Sequence, residues 1–198
     1  MSPATAAKPS WLTVPADDAL PHEVEQEIGP LAKKIGFIPN VARLLAITPA
    51  HFVRWWGYFD ELMRGASGLS KTQREMVAVV VSAEARCPYC VTAHAAGLRL
   101  RVKDAGFVDR LAVNYRQVEL SQQDRVMLDF AAKLTRTPDE CDEGDIARLR
   151  EVGFSDADIV HLVEVAAFFN LGARLASGTG LVPNIEYHDL GRAAATEG

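Results

Sequence analysis

Five segments of the chain begin with a residue that favours the first turn of an α-helix and continue with apolar residues at helical spacing. They are VARLLAI after Pro39-Asn40, AHFVRWWGYFDELMRG after Pro49, KTQREMVAVVVSAEAR after Ser70, QQDRVMLDFAAKLTR after Ser121 and DADIVHLVEVAAFFNLGARLASG after Ser155. A serine at such a position accepts a hydrogen bond from an unpaired backbone N–H, and a proline has no N–H to leave unpaired. We therefore predict an all-α fold, in which Gly178 and Gly180 can end the last helix.

Two of these helix starts resemble each other. The stretches LSKTQREM at 69–76 and LSQQDRVM at 120–127 share leucine, serine, arginine and methionine at an offset of 51 residues. Ser70 with Gln73 has the form of a capping box. The pattern predicts a helical bundle built from two pseudo-repeated units, at about 40–118 and about 119–182. The alternative is that a Leu-Ser helix entry arose twice because it caps helices well.

The composition is that of a globular protein, with 48% hydrophobic and 24% charged residues. We expect a single helical domain over 16–188, an extended N-terminal tail over 1–15 and a C-terminal tail over 189–198. The net charge of −5 and the lack of a basic block argue against a nucleic-acid partner. The apolar stretch 76–81 is too short to span a bilayer and the first residues lack a signal-peptide pattern, so we expect no membrane partner and a cytoplasmic location.

The sequence Cys87-Pro-Tyr-Cys90, followed by His94, is the local feature that indicates chemistry. Pro88 suits the first position of a helix, which makes Cys87 the N-cap and puts both cysteines and His94 on one helix face. The positive end of the helix dipole stabilises a thiolate there. His94 can act as a general base beside a thiol, and Glu75 on the preceding helix could orient it.

Three interpretations of this constellation remain open. It can be a dithiol redox centre, a zinc site completed by a fourth ligand or water, or a pair of inert buried thiols beside a core histidine. The β-branched run Val77–Val81 also fits a buried strand of a thioredoxin-like fold. The cap at Ser70 runs into that stretch without a turn, which favours a buried helix instead.

The remaining candidates carry weaker signals. The aromatic residues expected in the core, some of which could wall a pocket over the thiols, are Trp55, Trp56, Phe59, Phe168 and Phe169. The isolated His51, His161 and His188 are expected to be surface or packing residues. Cys141, in the acidic stretch DECDEGD, is expected to be an exposed thiol whose neighbours disfavour a thiolate.

These residues resemble the AhpD-like family of the carboxymuconolactone decarboxylase superfamily, in particular its two-repeat, peroxidase-related members. The resemblance covers most of the chain. It rests on GFIPNVARLLAITPAHF at 36–52, on the spacing of Glu75, Cys87, Cys90 and His94, and on the second repeat from LSQQDR to GLVPN. The spacing of the four site residues is its specific part.

The resemblance implies an all-helical, AhpD-like bundle that reduces hydroperoxides with a cysteine pair cycling between dithiol and disulfide. It implies that Cys90 attacks the peroxide, that Cys87 closes the disulfide, and that His94 with Glu75 relays protons. The residues themselves point both ways, because the helix dipole favours Cys87 and the histidine spacing favours Cys90. Tyr89 stands where the founding members carry a histidine, and a tyrosine can donate a hydrogen bond to a thiolate.

The expected partners follow from that chemistry. They are a small hydroperoxide and an external thiol or dithiol reductant, which can be a protein, and no metal, haem or other cofactor is required. A disulfide exchanger or redox sensor of the same fold is the first alternative, and a non-catalytic helical protein that binds zinc or a small molecule is the second. Broad apolar stripes that include Trp55 and Trp56 suggest faces buried between copies, as in a homo-oligomer.

Overall fold

Helix follows helix along the chain in the computed structural model, which describes residues 8–192. The α-helices are α1 (His22–Ile35), α2 (Asn40–Leu45), α3 (Pro49–Arg64), α4 (Lys71–Glu84), α5 (Pro88–Val102), α6 (Ala105–Asn114), α7 (Gln122–Arg136), α8 (Glu143–Glu151) and α9 (Asp156–Gly178). Short 3-10 turns lie at Asp17–Ala19, Tyr115–Gln117, Pro138–Glu140 and Ile185–His188. Within residues 8–192 no β-strand is present, so the predicted all-α class is confirmed.

The predicted helix starts coincide with observed caps. The Ser70 side chain accepts a hydrogen bond from Gln73 N, and the Gln73 side chain accepts one from Ser70 N, which completes the capping box. Ser155 forms a capping box with Asp158 at the start of α9, and the Ser121 side chain caps α7 by accepting a hydrogen bond from Asp124 N. Gly178 is the last residue of α9, and Gly180 follows with a positive φ of 60°. Caps predict these boundaries because they involve only neighbours in sequence.

Helix α4 lies at the centre of the bundle, packed against α5, α7 and α9. Its residues 74–82 are buried without a break. The strand alternative for Val77–Val81 is therefore wrong: the run is apolar on all sides because helices surround it, not because it lies in a sheet.

The longest helix, α9, also belongs to this core. Among the helices of the described chain it alone is long and apolar enough to cross a membrane by length and composition. Its apolar face instead packs against α3, α4, α5, α7 and α8. The buried side chains of that face include Leu162, Val165 and Phe169.

Two residues at equivalent positions of the predicted units are in contact, and the division into two units stays a prediction. Gln73 and Asp124 occupy equivalent positions at the offset of 51, and Gln73 Nε2 donates to Asp124 Oδ1 across 2.9 Å. The equivalent arginines also act alike, because Arg74 and Arg125 each donate to backbone carbonyls of the segment just before their own helix.

Both ends of the described chain pack on the bundle. Before α1, Ser10 is buried and its hydroxyl donates to Thr179 O at 2.7 Å. Val182 N donates to Pro9 O at 2.9 Å. The described part of the predicted N-terminal tail is thus an extended segment pinned to the residues after α9. Residues 1–7 and 193–198, which belong to the two predicted tails, lie outside the described residues.

Two Pro-Asn steps from opposite ends of the chain form a reciprocal pair of contacts. Asn40 N donates to Asn184 Oδ1 at 2.8 Å, and Asn184 Nδ2 donates to Ile38 O at 2.9 Å. Asn40 Nδ2 also donates to Val182 O at 2.8 Å. This contact ties the start of α2 to the segment after α9, beside the first turn of α5.

Candidate functional site

The first turn of α5 holds both sulfurs of the cysteine pair. Cys87 is the N-cap, with Pro88 in the first helical position, and Cys87 Sγ accepts a hydrogen bond from Cys90 N at 3.4 Å. Cys90 Sγ lies 3.0 Å from Cys87 Sγ, with both cysteines as free thiols. They are 1% and 5% exposed, respectively. Two thiols this close need only a small side-chain movement to join.

The pair shares one negative charge near neutral pH. The hydrogen bond from the Cys90 thiol, helped by backbone N–H groups and by the Ser177 hydroxyl, lowers the pKa of Cys87 to about 6 although burial opposes the shift. The same hydrogen bond and burial raise the pKa of Cys90 above its ordinary value. Cys87 therefore carries the resting thiolate, as the helix dipole predicts, and Cys90 donates its S–H to it.

His94 stands one turn further along α5, against Glu75 of α4. His94 Nδ1 donates to Glu75 Oε2 at 3.1 Å, and Arg101 Nε lies 3.7 Å from Glu75 Oε1. Because Nδ1 carries the proton in this pair, the free lone pair of a neutral imidazole is on Nε2. Gly97 makes room for the carboxylate, since a Cβ there would lie 3.1 Å from Glu75 Oε1.

A cavity of about 330 Å³ connects these groups. Cys90, His94 and Glu75 line it, whereas Cys87 is absent from its lining and lies behind Cys90. The structure thus brings together all four of the residues predicted from the spacing. It gives them different access, because Cys90 meets whatever enters the cavity and Cys87 reaches only Cys90.

Aromatic side chains form much of the cavity wall, and they include Trp55 and Trp56. Trp55 stacks on Phe59 at a centroid distance of 5.9 Å, and Phe169 meets the His94 ring edge-on at 4.3 Å. Trp56 is 5% exposed. Both tryptophans line the cavity, which accounts for this apolar stripe within one chain, and a face buried between copies stays a prediction.

Tyr89 also lines the cavity, but its hydroxyl is engaged elsewhere. It accepts a hydrogen bond from Val41 N at 3.1 Å and pairs with the Tyr187 hydroxyl. Burial raises the pKa of Tyr89 well above its ordinary value. The side chain anchors α5 to α2, whose Val41 N donates to its oxygen, and to the turn that follows α9, where its O–H is directed to Tyr187 rather than to the cysteine thiolate.

Several residues of the site carry no sequence signal. Ser177, near the end of α9, donates to Cys87, and Arg101 approaches Glu75. A serine and an arginine in helices are too common to be singled out by type. The periodicity of α5 does place Arg101 seven residues after His94, on the same helix face, which is the one hint that pattern analysis offers.

The other candidate residues lie away from this cavity. Cys141 is half-buried rather than exposed, and burial followed by the charge of Asp145 raises its pKa. His161 is a packing residue, with Nε2 2.8 Å from Leu62 O, and His51 and His188 are exposed. Within residues 8–192 no three His, Cys, Asp or Glu side chains are grouped to hold a metal ion, which leaves the zinc interpretation without a ligand set.

Comparison with known proteins identifies the superfamily of this chain. A sequence model of the carboxymuconolactone decarboxylase family matches residues 49–104. A peroxidase-related protein from Ralstonia eutropha JMP134, described as an alkylhydroperoxidase AhpD core, is 40% identical over 95% of this chain and 99% of its own, with a TM-score of 0.90. The chain belongs to the AhpD-like carboxymuconolactone decarboxylase superfamily.

Two further solved structures are similar to this chain. A peroxidase-related protein from Silicibacter sp. TM1040 is 41% identical over 96% of this chain and all of its own length, with a TM-score of 0.89. Both of these AhpD-like proteins are uncharacterized. The debrominase Bmp8 is 16% identical over 90% of this chain and 95% of its own, with a TM-score of 0.77, a likeness of fold alone. No protein of curated function matches the chain.

Proposed function

We propose that this chain is a hydroperoxide reductase that uses the Cys87–Cys90 dithiol. The observation that carries the proposal is the pair of sulfurs 3.0 Å apart, one of which opens on a cavity shared with His94 and Glu75. Membership of a superfamily with AhpD-like, peroxidase-related proteins supports it.

The first step takes place at Cys90, the sulfur that meets the cavity. As the Cys90 sulfur attacks the distal oxygen of the hydroperoxide, its proton passes to His94, either directly or through water. An S–O bond forms and the O–O bond breaks. Cys90 becomes a sulfenic acid, and the departing alkoxide takes the proton from His94 to leave as an alcohol. Glu75 stabilises the imidazolium that exists between these two transfers.

The second step uses the charge that Cys87 already carries. The Cys87 thiolate attacks Cys90 Sγ, the S–O bond breaks, and the released hydroxide takes a proton to form water. The sum is two thiols and one hydroperoxide giving one disulfide, one alcohol and one water. An external thiol or dithiol then reduces the disulfide by exchange and is itself oxidised.

This division of labour reconciles the two lines of sequence reasoning. The helix N-terminus and the surrounding donors make Cys87 the resting thiolate, which suits the partner that resolves the sulfenic acid. Access to the cavity and the shared face with His94 suit Cys90 to the attack. A low pKa on the resolving thiol is no obstacle, because the second step is intramolecular.

The burial of both sulfurs bears on the alternative of a protein disulfide reductase. Exposures of 1% and 5% leave little for a folded protein surface to contact, and the cavity admits a small molecule instead. We therefore favour a small hydroperoxide as oxidant. A cytoplasmic location, where such a dithiol is kept reduced, and assembly into a homo-oligomer are further parts of the proposal.

Thiol counting tests the function. The reduced chain, freed of reductant, is mixed with equimolar cumene hydroperoxide, and free thiols are titrated under denaturing conditions. Two of the three cysteines should disappear while cumyl alcohol forms in equal amount. In Cys87→Ser a sulfenic-acid probe should label Cys90. Retention of all three thiols, or loss of Cys141 together with the pair, would contradict the proposal.

A further inference from the structure

The cavity at Cys90 is larger than hydrogen peroxide requires. Its volume of about 330 Å³ is many times the roughly 30 Å³ that one water occupies in the liquid, and it lies at the small end of cavities that hold organic ligands. Leu44, Trp55 and Phe168 give it apolar walls. The body of the molecule that enters is therefore organic and apolar.

The mouth of the same cavity is cationic. Lys34, Arg64 and Arg101 line the cavity, and all three are exposed, which places them where it meets solvent. Glu75 is the one carboxylate in the described lining. The whole chain has a net charge of −5, so this entrance has the opposite sign to the protein that surrounds it.

The charges at the mouth are incompletely balanced. Arg64 pairs with Asp60, and Arg101 lies 3.7 Å from a Glu75 carboxylate that also binds His94. Among the described residues Lys34 makes no ion pair. Burial lowers the pKa of Arg64. The negative charge of Glu75 raises this pKa, and the positive charge of Arg101 lowers it. An anion held between these side chains would relieve that repulsion.

We propose that the cavity selects an organic acid, with its apolar body against the aromatic walls, its carboxylate at the mouth lined by Lys34, Arg64 and Arg101, and its reacting group at Cys90. Resting on the proposed function, this names the substrate as a carboxylate-bearing organic hydroperoxide. Lys34 and Arg101 are positioning residues, because they hold the far end of the substrate and take no part in bond making.

Binding is tested without any peroxide, so that it does not depend on catalysis. 4-Isopropylbenzoate and its methyl ester are titrated into the full-length reduced chain, with Trp55 and Trp56 as fluorescent reporters in the cavity wall and calorimetry as a second readout. The acid should bind at least tenfold more tightly than the ester at low salt, and the difference should shrink as salt screens the charges. Equal affinities for acid and ester would overturn the proposal.

Matched variants locate the effect. Lys34→Gln and Arg101→Gln should each reduce the preference for the acid severalfold and leave ester binding unchanged. Lys33→Gln removes the neighbouring charge of α1, which does not line the cavity, and should leave the preference intact. An equal loss of the preference for the acid in Lys33→Gln would indicate a general electrostatic attraction to this surface rather than a binding site. That result would also overturn the proposal.

Steady-state kinetics distinguishes the proposed anion site from the proposed hydroperoxide reductase activity. Cumene hydroperoxide and its para-carboxylate are compared as substrates, and the carboxylate should have the lower KM at a similar kcat. Acid-selective binding without turnover of either hydroperoxide would refute the reductase and leave the anion site standing. Turnover of both at equal KM would refute the anion site and leave the reductase standing.

Discussion

The two units predicted from the sequence share a serine-capped helix start and differ in the side chains that follow it. At the offset of 51, the positions of the site residues Glu75, Cys87, Cys90 and His94 correspond to Val126, Pro138, Cys141 and Asp145. The second half keeps the serine cap, the arginine that binds backbone carbonyls and one cysteine. It lacks the partner thiol, the base and the acid that orients the base.

The equivalent positions of the second predicted unit carry ion pairs around a smaller cavity, of about 180 Å³. Asp145 is buried and binds Lys133 Nζ at 2.7 Å and Arg148, which stands at the position equivalent to Gly97. Burial would raise the pKa of Asp145, but the hydrogen bond from Lys133 and neighbouring charges lower it. The comparison shows that both predicted units keep a serine-capped helix start, whereas the cysteine pair, the histidine and the glutamate of the candidate site occur together only in the first.

The sharpest test of this comparison replaces equivalent cysteines. Cys90→Ser and Cys87→Ser should each abolish multiple turnover with hydroperoxide, because a disulfide can no longer form. Cys141→Ser, at the position equivalent to Cys90, should keep the rate of the native chain. Steady-state peroxide consumption measures all three, and a matching loss in Cys141→Ser would make the second half a participant.

The next test replaces equivalent residues of α5 and α8. His94→Ala should lower kcat/KM by roughly 10²- to 10⁴-fold, the usual contribution of a positioned general base or acid. Asp145→Asn should keep activity but lower the free energy of unfolding by about 2 kcal/mol, because hydrogen bonds between charged groups are lost. Peroxidase assays and urea unfolding of both variants should show the loss of activity in His94→Ala and the loss of stability in Asp145→Asn. The same defect in both variants would argue against separate roles.

The pKa is lowered for Cys87 and raised for Cys141, so the two cysteines should give stability a different pH dependence. The folded-state pKa of Cys87 is about 6, below its ordinary value of 9.0. The folded state then binds fewer protons than the unfolded state between these values, so the stabilisation is full above pH 9 and is lost as the pH falls through 6. Urea midpoints of the reduced chain should therefore rise between pH 6 and 8.

The control for that pH series is a pair of cysteine variants. Cys87→Ser should lose the pH-dependent gain, and Cys141→Ser should keep it because the pKa of Cys141 is raised rather than lowered. The ultraviolet absorbance of the thiolate should show a transition near pH 6 in the native chain and in Cys141→Ser, but not in Cys87→Ser. A transition near 9 would mean that the donors around Cys87 do not stabilise its charge.

The smallest expected difference concerns the shared scaffold. Ser70→Ala and Ser121→Ala each remove an N-cap and should each lower the free energy of unfolding by about 1 kcal/mol. Activity at saturating substrate should be unchanged in both. Unequal costs, measured by denaturant unfolding, would show that the repeated helix starts are alike in sequence but not in their contribution to stability.

Local signals account for what the sequence predicted well. The caps at Ser70, Ser121 and Ser155 and the spacing from Glu75 to His94 involve residues that are close in the chain or on adjoining helices. Helices α6 and α8 begin at the aspartate caps Asp104 and Asp142, signals of the same kind that the pattern analysis left unused.

Long-range contacts account for what the sequence did not predict. The direction of the Tyr89 hydroxyl depends on Val41 and Tyr187, and the charge on Cys87 depends on Ser177 of a helix far along the chain. The inward orientation of Trp55 and Trp56 likewise depends on where α9 packs. Periodicity identifies an apolar face but not the element that covers it.

The reciprocal contact between Asn40 and Asn184 joins two pieces of chain that lie outside the stretch matched to the family, residues 49–104, and both pieces contribute to the cavity wall through Val41 and Leu181. The cysteine pair lies inside that stretch, whereas part of the cavity wall comes from outside it. Substitutions in the flanking pieces can therefore reshape the cavity while the two sulfurs keep their arrangement.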